Sequence, residues 1–324
     1  MNYAEKWLPE VKQRMRQIAK HPFEESLVGK VLDDTLDTNG KMIRGTLLIL
    51  AASFGPKLQE KKEKIITLAA MVELTHLASL IHDDIVDESD FRRGKPSIQS
   101  KYSKDAAVYA GDFLMARINY YEAKEKLNQS AALLSKAIEE MCAGEIGQAL
   151  YRYNADTEIE QYEKNIEGKT VALFKTATLI GATEAGATKK VTNTLERIGT
   201  LLGYMFQLRD DLLDFTSDKY HLGKEGQKDF KEGIYTMPVL AARNWEMHDG
   251  KRRLYSLMQK NAKKALSETE ISEAEQLVIS QNGVAHTKEI ISEFSERIQA
   301  LLLELPKTNA NKLLKQLVIN LEEK

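Results

Sequence analysis

Two segments of this chain carry aspartates in the order Asp-Asp-x-x-Asp: Asp83, Asp84 and Asp87, and again Asp210, Asp211 and Asp214. Ala-Ser-Leu-Ile-His precedes the first set and Met-Phe-Gln-Leu-Arg the second, so both lie in apolar helical patterns. Residues four apart share a helix face, which stacks Asp83 with Asp87 and Asp210 with Asp214. Carboxylates one turn apart repel unless a cation lies between them, and in apolar surroundings they are costly without a partner. Oxygen-only ligands select a hard ion, Mg²⁺ or its substitute Mn²⁺. Mg²⁺ takes one or two carboxylates and completes its shell with water and phosphate oxygens. The chemistry these residues could do is therefore metal-assisted handling of a polyphosphate.

Basic side chains cluster around the motifs in sequence. Arg92-Arg93-Gly94-Lys95-Pro96 follows the first, and an Arg fork matches phosphate bidentately. Gly40-Lys41-Met42-Ile43-Arg44 opens a helix after a turn, where helix N-terminal amides favour anions. Lys169-Thr170 follows Gly168, Gly223-Lys224-Glu225-Gly226 follows the second motif, and His76 lies two turns before Asp83. Each alone has a plainer explanation: a Lys-Thr or Gly-Lys pair is ordinarily surface, and a lone His ordinarily a satisfied core residue. Acidic pairs are likewise mostly solvated, and Asp33-Asp34-Thr35-Leu36-Asp37 is a third match to the pattern. It lacks an apolar helix around it and runs into Thr38-Asn39-Gly40, a helix end where acidic charge opposes the dipole. It is read as surface. Order and co-occurrence carry the specificity, not any single residue.

The elements that must position these groups read as helices. Between Pro96 and Pro238 there is no proline, which suits long helices because Pro breaks a helix interior. Apolar residues recur at three- and four-residue steps through KIITLAAMVELTHLASLIHDDIVDESD, LSKAIEEMCAGEIGQALYRY, VTNTLERIGTLLGYMFQLRDDLLDF and TKEIISEFSERIQALLLEL. Alternating strand patterns are hard to find. Asn39-Gly40, Gly94 with Pro96, and Asn282-Gly283 mark helix ends, and Ser267 with Glu270 predicts a capping box. Without a linker or tandem repeat, residues 1–324 are expected to form one all-α domain. A net charge of −2 argues against a nucleic-acid partner. The single Cys142 excludes an intrachain disulfide and fits a reducing compartment. No apolar leader segment and no uninterrupted membrane-length apolar run are visible, so the expected location is the cytoplasm.

ELTHLASLIHDDIVDESDFRRGKPS and GYMFQLRDDLLDF, with the basic sites between about Gly40 and Pro238, resemble the all-trans polyprenyl diphosphate synthases. These are prenyltransferases that condense isopentenyl diphosphate head-to-tail onto an allylic diphosphate. The resemblance implies an isoprenoid-synthase helical bundle around a central cavity, a homodimer, and about two or three Mg²⁺ ions. It implies that Lys41, Arg44, His76 and Arg93 hold isopentenyl diphosphate and that Arg92 contacts the allylic diphosphate. Asp83, Asp87, Asp210 and Asp214 become metal ligands, and Lys169, Thr170, Gln207 and Lys224 line the allylic site. Lys169, Thr170 and Gln207 are the expected catalytic residues.

The chain departs from the family pattern in places. Asn39, Met42 and Gly45 replace Gly, Arg and Pro of the first basic loop, and Glu225, Gln227 and Ile234 replace Pro, Gly and Lys after the second motif. Ala78 and Ser79, one turn before Asp83, are small where short-product relatives carry bulky aromatics. Thr75 and Val72 lie about two and three turns down, so a tail descending past them is expected to reach about six to nine isoprene units, C30–C45, of the quinone side-chain type. A short-chain synthase, a catalytic chain needing a small regulatory partner, and a non-catalytic helical subunit stay open. A terpene cyclase is disfavoured by the second Asp-Asp-x-x-Asp, and a di-iron protein because Glu73-x-x-His76 is the only such pair where two are needed. A product with a greasy tail implies transient membrane contact.

Overall fold

The computed structural model describes residues 3–23, 25–36, 40–215 and 228–322. Lys224, Glu225 and Gln227 of the second basic loop, and Asp37 and Asn39, lie outside these residues. The helices run α1 (Tyr3–Ile18), α2 (Leu27–Leu36), α3 (Ile43–Ala52), α4 (Lys62–Val86), α5 (Ile98–Lys101), α6 (Lys104–Lys124), α7 (Asn128–Leu150) and α8 (Ile159–Ile166). A π-helical turn, Glu167–Val171, leads into α9 (Ala172–Glu184) and α10 (Lys189–Leu213). After the gap come α11 (Lys228–Lys231), α12 (Met237–His248), α13 (Arg253–Asn261), α14 (Glu268–Ser280), α15 (Gly283–Leu303) and α16 (Asn309–Glu322). The all-α expectation holds: the strands among the described residues are β1 (Phe91–Arg92) and β2 (Lys95–Pro96), one antiparallel pair.

That hairpin corrects the reading of Gly94 and Pro96 as a helix end. Arg92 pairs with Lys95 across the two-residue turn Arg93-Gly94, whose φ values are 52° and 77°. Positive φ at both central positions is what a two-residue hairpin needs to match strand twist. Gly94 adopts it freely, whereas Arg93 holds it at a steric cost of order 1 kcal/mol. A pair of two-residue strands is too short for its period to stand out in sequence.

Chain packing divides into two compact units. The first comprises Met1–Ile138, Leu173–Gly199 and Thr308–Ala310, and its axis is α4. This helix packs on α1, α3 and α6 and buries Ile65, Leu68, Met71, Val72, Leu74 and Ala78. Its best 18-residue window has a mean hydropathy of 1.6, enough by length and composition for a membrane span, but 78% of that window is buried inside the protein. The apolarity is that of a core helix. The second unit comprises Glu139–Ala172, Thr200–Lys307 and Asn311–Lys324. Within it α12 packs on α13, α14 and α15. Ser267 caps α14 through the reciprocal box with Glu270, as its sequence predicts.

Candidate active site

The first aspartate motif closes α4. Its last helical residue is Val86, and Asp87 is the C-cap, whose N–H donates to the Asp83 carbonyl at 2.8 Å. Asp210 likewise falls in the last turn of α10, and Asp214 lies just beyond it. A helix C-terminus carries partial negative charge, so acid there is unfavourable and a cation favourable. In each set the middle aspartate is buried and bound by the protein. Asp84 accepts from Nε of Arg92 at 2.8 Å and from a second guanidinium nitrogen. Asp211 accepts from the Tyr162 hydroxyl and from Nε2 of Gln207 at 2.9 Å. The outer residues Asp83, Asp87 and Asp214 are half-buried and Asp210 is exposed.

The basic groups predicted for isopentenyl diphosphate come together in the first unit, except that Lys41 is simply exposed beside α3. Burial first, then the positive fields of Arg44, Arg93 and Arg92, hold His76 well below the usual imidazole range. It is neutral at physiological pH, a hydrogen-bonding group rather than a charge. An added Cβ on Gly40 would stand 2.8 Å from Nη1 of Arg93, which places that arginine at the loop. Arg44 is buried, its guanidinium 4.7 Å from the Phe174 ring centroid, and burial pushes its pKa down to about 10.

The N-terminus of α3 was expected to favour a phosphate. The anion it meets here is Glu73, whose Oε1 accepts the Gly45 N–H at 2.7 Å. Burial raises the Glu73 pKa, and the Gly45 and Arg44 amides and the Arg44 charge pull it back. Glu73 thus ties the α3 N-terminus to α4 and faces Arg44. The sequence reading used Glu73 only as half of a Glu-x-x-His pair. A Pro at this position, as in the family pattern, has no N–H to give, so Gly45 supplies a bond that such a Pro could not make. Gly45→Pro is expected to cost about 1.5–3 kcal/mol, the worth of a hydrogen bond to a charged, buried acceptor. Gly45→Ala keeps the N–H; its Cβ would stand 3.1 Å from the Glu73 Cγ and 3.4 Å from the Ala69 carbonyl oxygen and Glu73 Oε1, a crowding that a small shift of the Glu73 side chain relieves, so it costs less. Urea unfolding at unchanged slope measures both; equal stability of the Pro variant and wild type refutes the bond's importance.

In the second unit, Lys169 and Thr170 sit on the π-helical turn. Gly168 permits it: an added Cβ there would stand 2.3 Å from the Glu140 carbonyl oxygen, and one on Gly144 2.5 Å from the Lys169 nitrogen. Backbone therefore touches backbone between α7 and the turn. One extra residue in the turn re-aims the side chains that follow, a device frequent at functional sites. Lys169 pairs with Glu145 at 3.0 Å, and the Thr170 hydroxyl donates to Oε1 of Gln207 at 2.7 Å. The three residues predicted as catalytic thus lie in one unit, with Thr170 and Gln207 in direct contact.

Acidic charge is concentrated here. Burial is the leading cause that pushes Asp211 up to about 7, against the pull of Tyr162 and Gln207. Asp229 is pushed up to about 8, by burial first and then by the charges of Asp214, Asp211 and Asp210, with Lys169 pulling the other way. Among the described residues no three His, Cys, Asp or Glu side chains form a ready-made metal cage. An all-oxygen set of paired aspartates at a helix end fits instead a hard ion that takes one or two protein ligands and the rest from phosphate and water. Asp229 was missed in sequence, since its raised pKa comes from burial and from the aspartates of a segment it is not adjacent to.

The third match has a structural use. Asp34 accepts from Lys101 and from the Tyr102 hydroxyl, the latter at 2.5 Å, tying α2 to α5. These bonds hold its pKa below the ordinary carboxylate value.

The polyprenyl synthetase family model matches residues 25–275. Over 215 residues the chain is 38% identical to heptaprenyl diphosphate synthase component 2 of Geobacillus stearothermophilus, a stretch that is 66% of each chain, so it spans just under two thirds of that relative. The crystal structure of heptaprenyl diphosphate synthase from Staphylococcus aureus is similar at a TM-score of 0.90 and 28% identity, covering 100% of this chain and 99% of that one. Polyprenyl synthase from Caulobacter crescentus CB15, complexed with calcium and isoprenyl diphosphate, is similar at a TM-score of 0.89 and 25% identity, covering 99% and 95%. With its aspartate motifs, its basic loop and its all-helical fold, the chain belongs to the polyprenyl synthetase family.

Proposed function

We propose that this chain is a Mg²⁺-dependent all-trans polyprenyl diphosphate synthase that adds isopentenyl diphosphate head-to-tail to an allylic diphosphate, making a medium-to-long product. The observation that carries the reading is the placement of both motifs: each closes its helix, where the dipole favours a cation, and each buries its middle aspartate. The relatives' names, heptaprenyl among them, support product length in this range. The bound calcium and isoprenyl diphosphate of the Caulobacter protein support the substrate class.

In this reading Asp83, Asp87, Asp210 and Asp214 hold the metal. Bound Mg²⁺ supplies neutralisation of charge developing on the allylic diphosphate. Arg92, Lys169 and Lys224 hold that diphosphate. Lys41, Arg44, Arg93 and neutral His76 hold isopentenyl diphosphate. The allylic C–O bond breaks and its electron pair leaves with the diphosphate. The double bond of isopentenyl diphosphate then forms the new C–C bond, and the proton lost from the adduct passes to the released diphosphate. Thr170 and Gln207 offer oxygen dipoles to the intermediate cation, which survives only where water is kept out.

The test is elongation by the purified chain, given Mg²⁺, farnesyl diphosphate and labelled isopentenyl diphosphate, with the product sized. A labelled product of about six to nine isoprene units is expected from the small side chains one turn before the motif. A cyclic hydrocarbon or no incorporation overturns the reading. The relative's designation as a component favours one second reading, a catalytic chain that needs a small partner. Its signature is turnover only on adding that partner, whereas a self-sufficient homodimer elongates alone.

A further inference from the structure

Thr170 uses its hydroxyl unlike Thr35, Thr46 and Thr67. A helical Thr ordinarily returns its proton to a carbonyl in the preceding turn. Thr35 does so to Val31 at 2.9 Å, Thr46 to Met42 at 2.7 Å and Thr67 to Glu63 at 2.9 Å. Thr170 instead donates across to Oε1 of Gln207.

The bonds run with one polarity along this chain. Asp211 accepts from Tyr162 on Oδ2 and, on Oδ1, from Gln207 at 2.9 Å. The Gln207 amide turns its NH₂ to Asp211 and its carbonyl oxygen to Thr170. Thr170 must then give its only proton to Gln207. Tyr162, Asp211 and Thr170 are buried and Gln207 is half-buried, which shields the Tyr162–Asp211 end of the chain from water.

We propose that Tyr162 and Asp211 are positioning residues that fix the polarity of the Thr170 hydroxyl, so that it turns oxygen lone pairs, and not its proton, to the allylic carbocation. The proposal rests on the function proposed above. A hydroxyl free to rotate would present its positive end part of the time and destabilise the cation it faces. The same relay denies the cation a proton-bearing partner without any charged residue entering the apolar part of the site.

A double-mutant cycle with Tyr162→Phe and Thr170→Val tests it. Tyr162→Phe is expected to lower kcat roughly tenfold, the effect of one hydrogen bond felt only in the transition state, with KM for the allylic diphosphate within about twofold. Thr170→Val falls further, Thr170→Ser recovers most of the loss, and the double variant is no slower than Thr170→Val alone. Multiplicative losses in the double variant, or a Tyr162→Phe enzyme as fast as wild type, overturn the proposal. Should folded yield fall, the ratio of prenyl alcohol from water capture to elongated product, taken per molecule ionised, is independent of enzyme amount. It is expected to rise in Tyr162→Phe, and an unchanged ratio overturns the relay. A wild-type chain that elongates while the cycle fails sinks only the relay, whereas a wild type without turnover sinks the function proposed first.

Discussion

Asp83→Ala and Asp210→Ala each lower turnover by on the order of 10²–10³, the loss typical of removing one group that stabilises charge on a leaving group. Each removes an outer carboxylate at a helix C-terminus, where its charge opposes the helix dipole. The thermal midpoint is therefore expected to hold, because active-site groups are commonly kept at a stability cost. Asp34→Ala is the control. It belongs to the third Asp-Asp-x-x-Asp match, and its bonds to Lys101 and Tyr102 are structural. Its turnover at saturating substrate is expected to stay within about twofold, since no metal or substrate group is lost. Steady-state rates at saturating Mg²⁺ measure all three. Near-normal rates for the Asp83 and Asp210 variants, or a collapse for Asp34→Ala, would reverse the assignment.

Asp84→Asn separates the middle aspartate from the outer two. It keeps the shape but takes the charge that Arg92 faces at 2.8 Å. The freed guanidinium loses its fixed direction, so affinity for the allylic diphosphate should weaken while metal dependence persists.

The helices that carry the motifs were legible because α4 and α10 are long, apolar and free of internal proline, and a 3.6-residue period accumulates over many turns. The aspartates were legible because their spacing is itself the geometry of a helix face. Running into a helix end does not distinguish Asp33–Asp37 from the other two sets. Asp87 caps α4 and Asp214 follows α10, so the two motifs proposed to bind metal also stand at helix ends. What separates the third match is its partners, Lys101 and Tyr102, about seventy positions away along the chain. Linear spacing does not encode such pairings.

The same limit hid Glu73, Tyr162 and Asp229. Each matters through a bond or field from a distant segment, as Glu73 does with Gly45 and Tyr162 with Asp211. The π-helical turn was hidden for a different reason. One added residue in a turn shifts the apolar pattern too little to notice, and the signal available was only Gly144 facing Gly168 across two helices. Gly45 shows the converse. As a departure from the family's Pro it looked like lost rigidity, yet its N–H anchors a buried carboxylate.

Ser79→Phe is expected to shorten the product by several isoprene units. On α4 the side chains of His76, Ser79, Leu80, Asp83 and Asp87 form one half-buried stripe, whereas Met71, Val72, Thr75 and Ala78 are fully buried. A prenyl tail whose diphosphate is held at Asp83 first passes the residue one turn, about 5.4 Å, toward the helix N-terminus on that stripe. That residue is Ser79, half-buried, whose hydroxyl folds back onto the His76 carbonyl at 2.9 Å, so little of its side chain projects into the tail's proposed path. A phenyl ring there fills it, while the first additions of isopentenyl diphosphate proceed. Ala78→Phe is the contrasting variant. With 0% exposure at Ala78, a ring has no accessible space and overpacks the core, costing about 1–3 kcal/mol of stability. Chromatographic sizing of the prenyl alcohols after dephosphorylation distinguishes the two, beside urea unfolding of each variant. A Ser79→Phe enzyme that still makes wild-type lengths places the tail along another wall, and the small residue before the motif then serves helix packing alone.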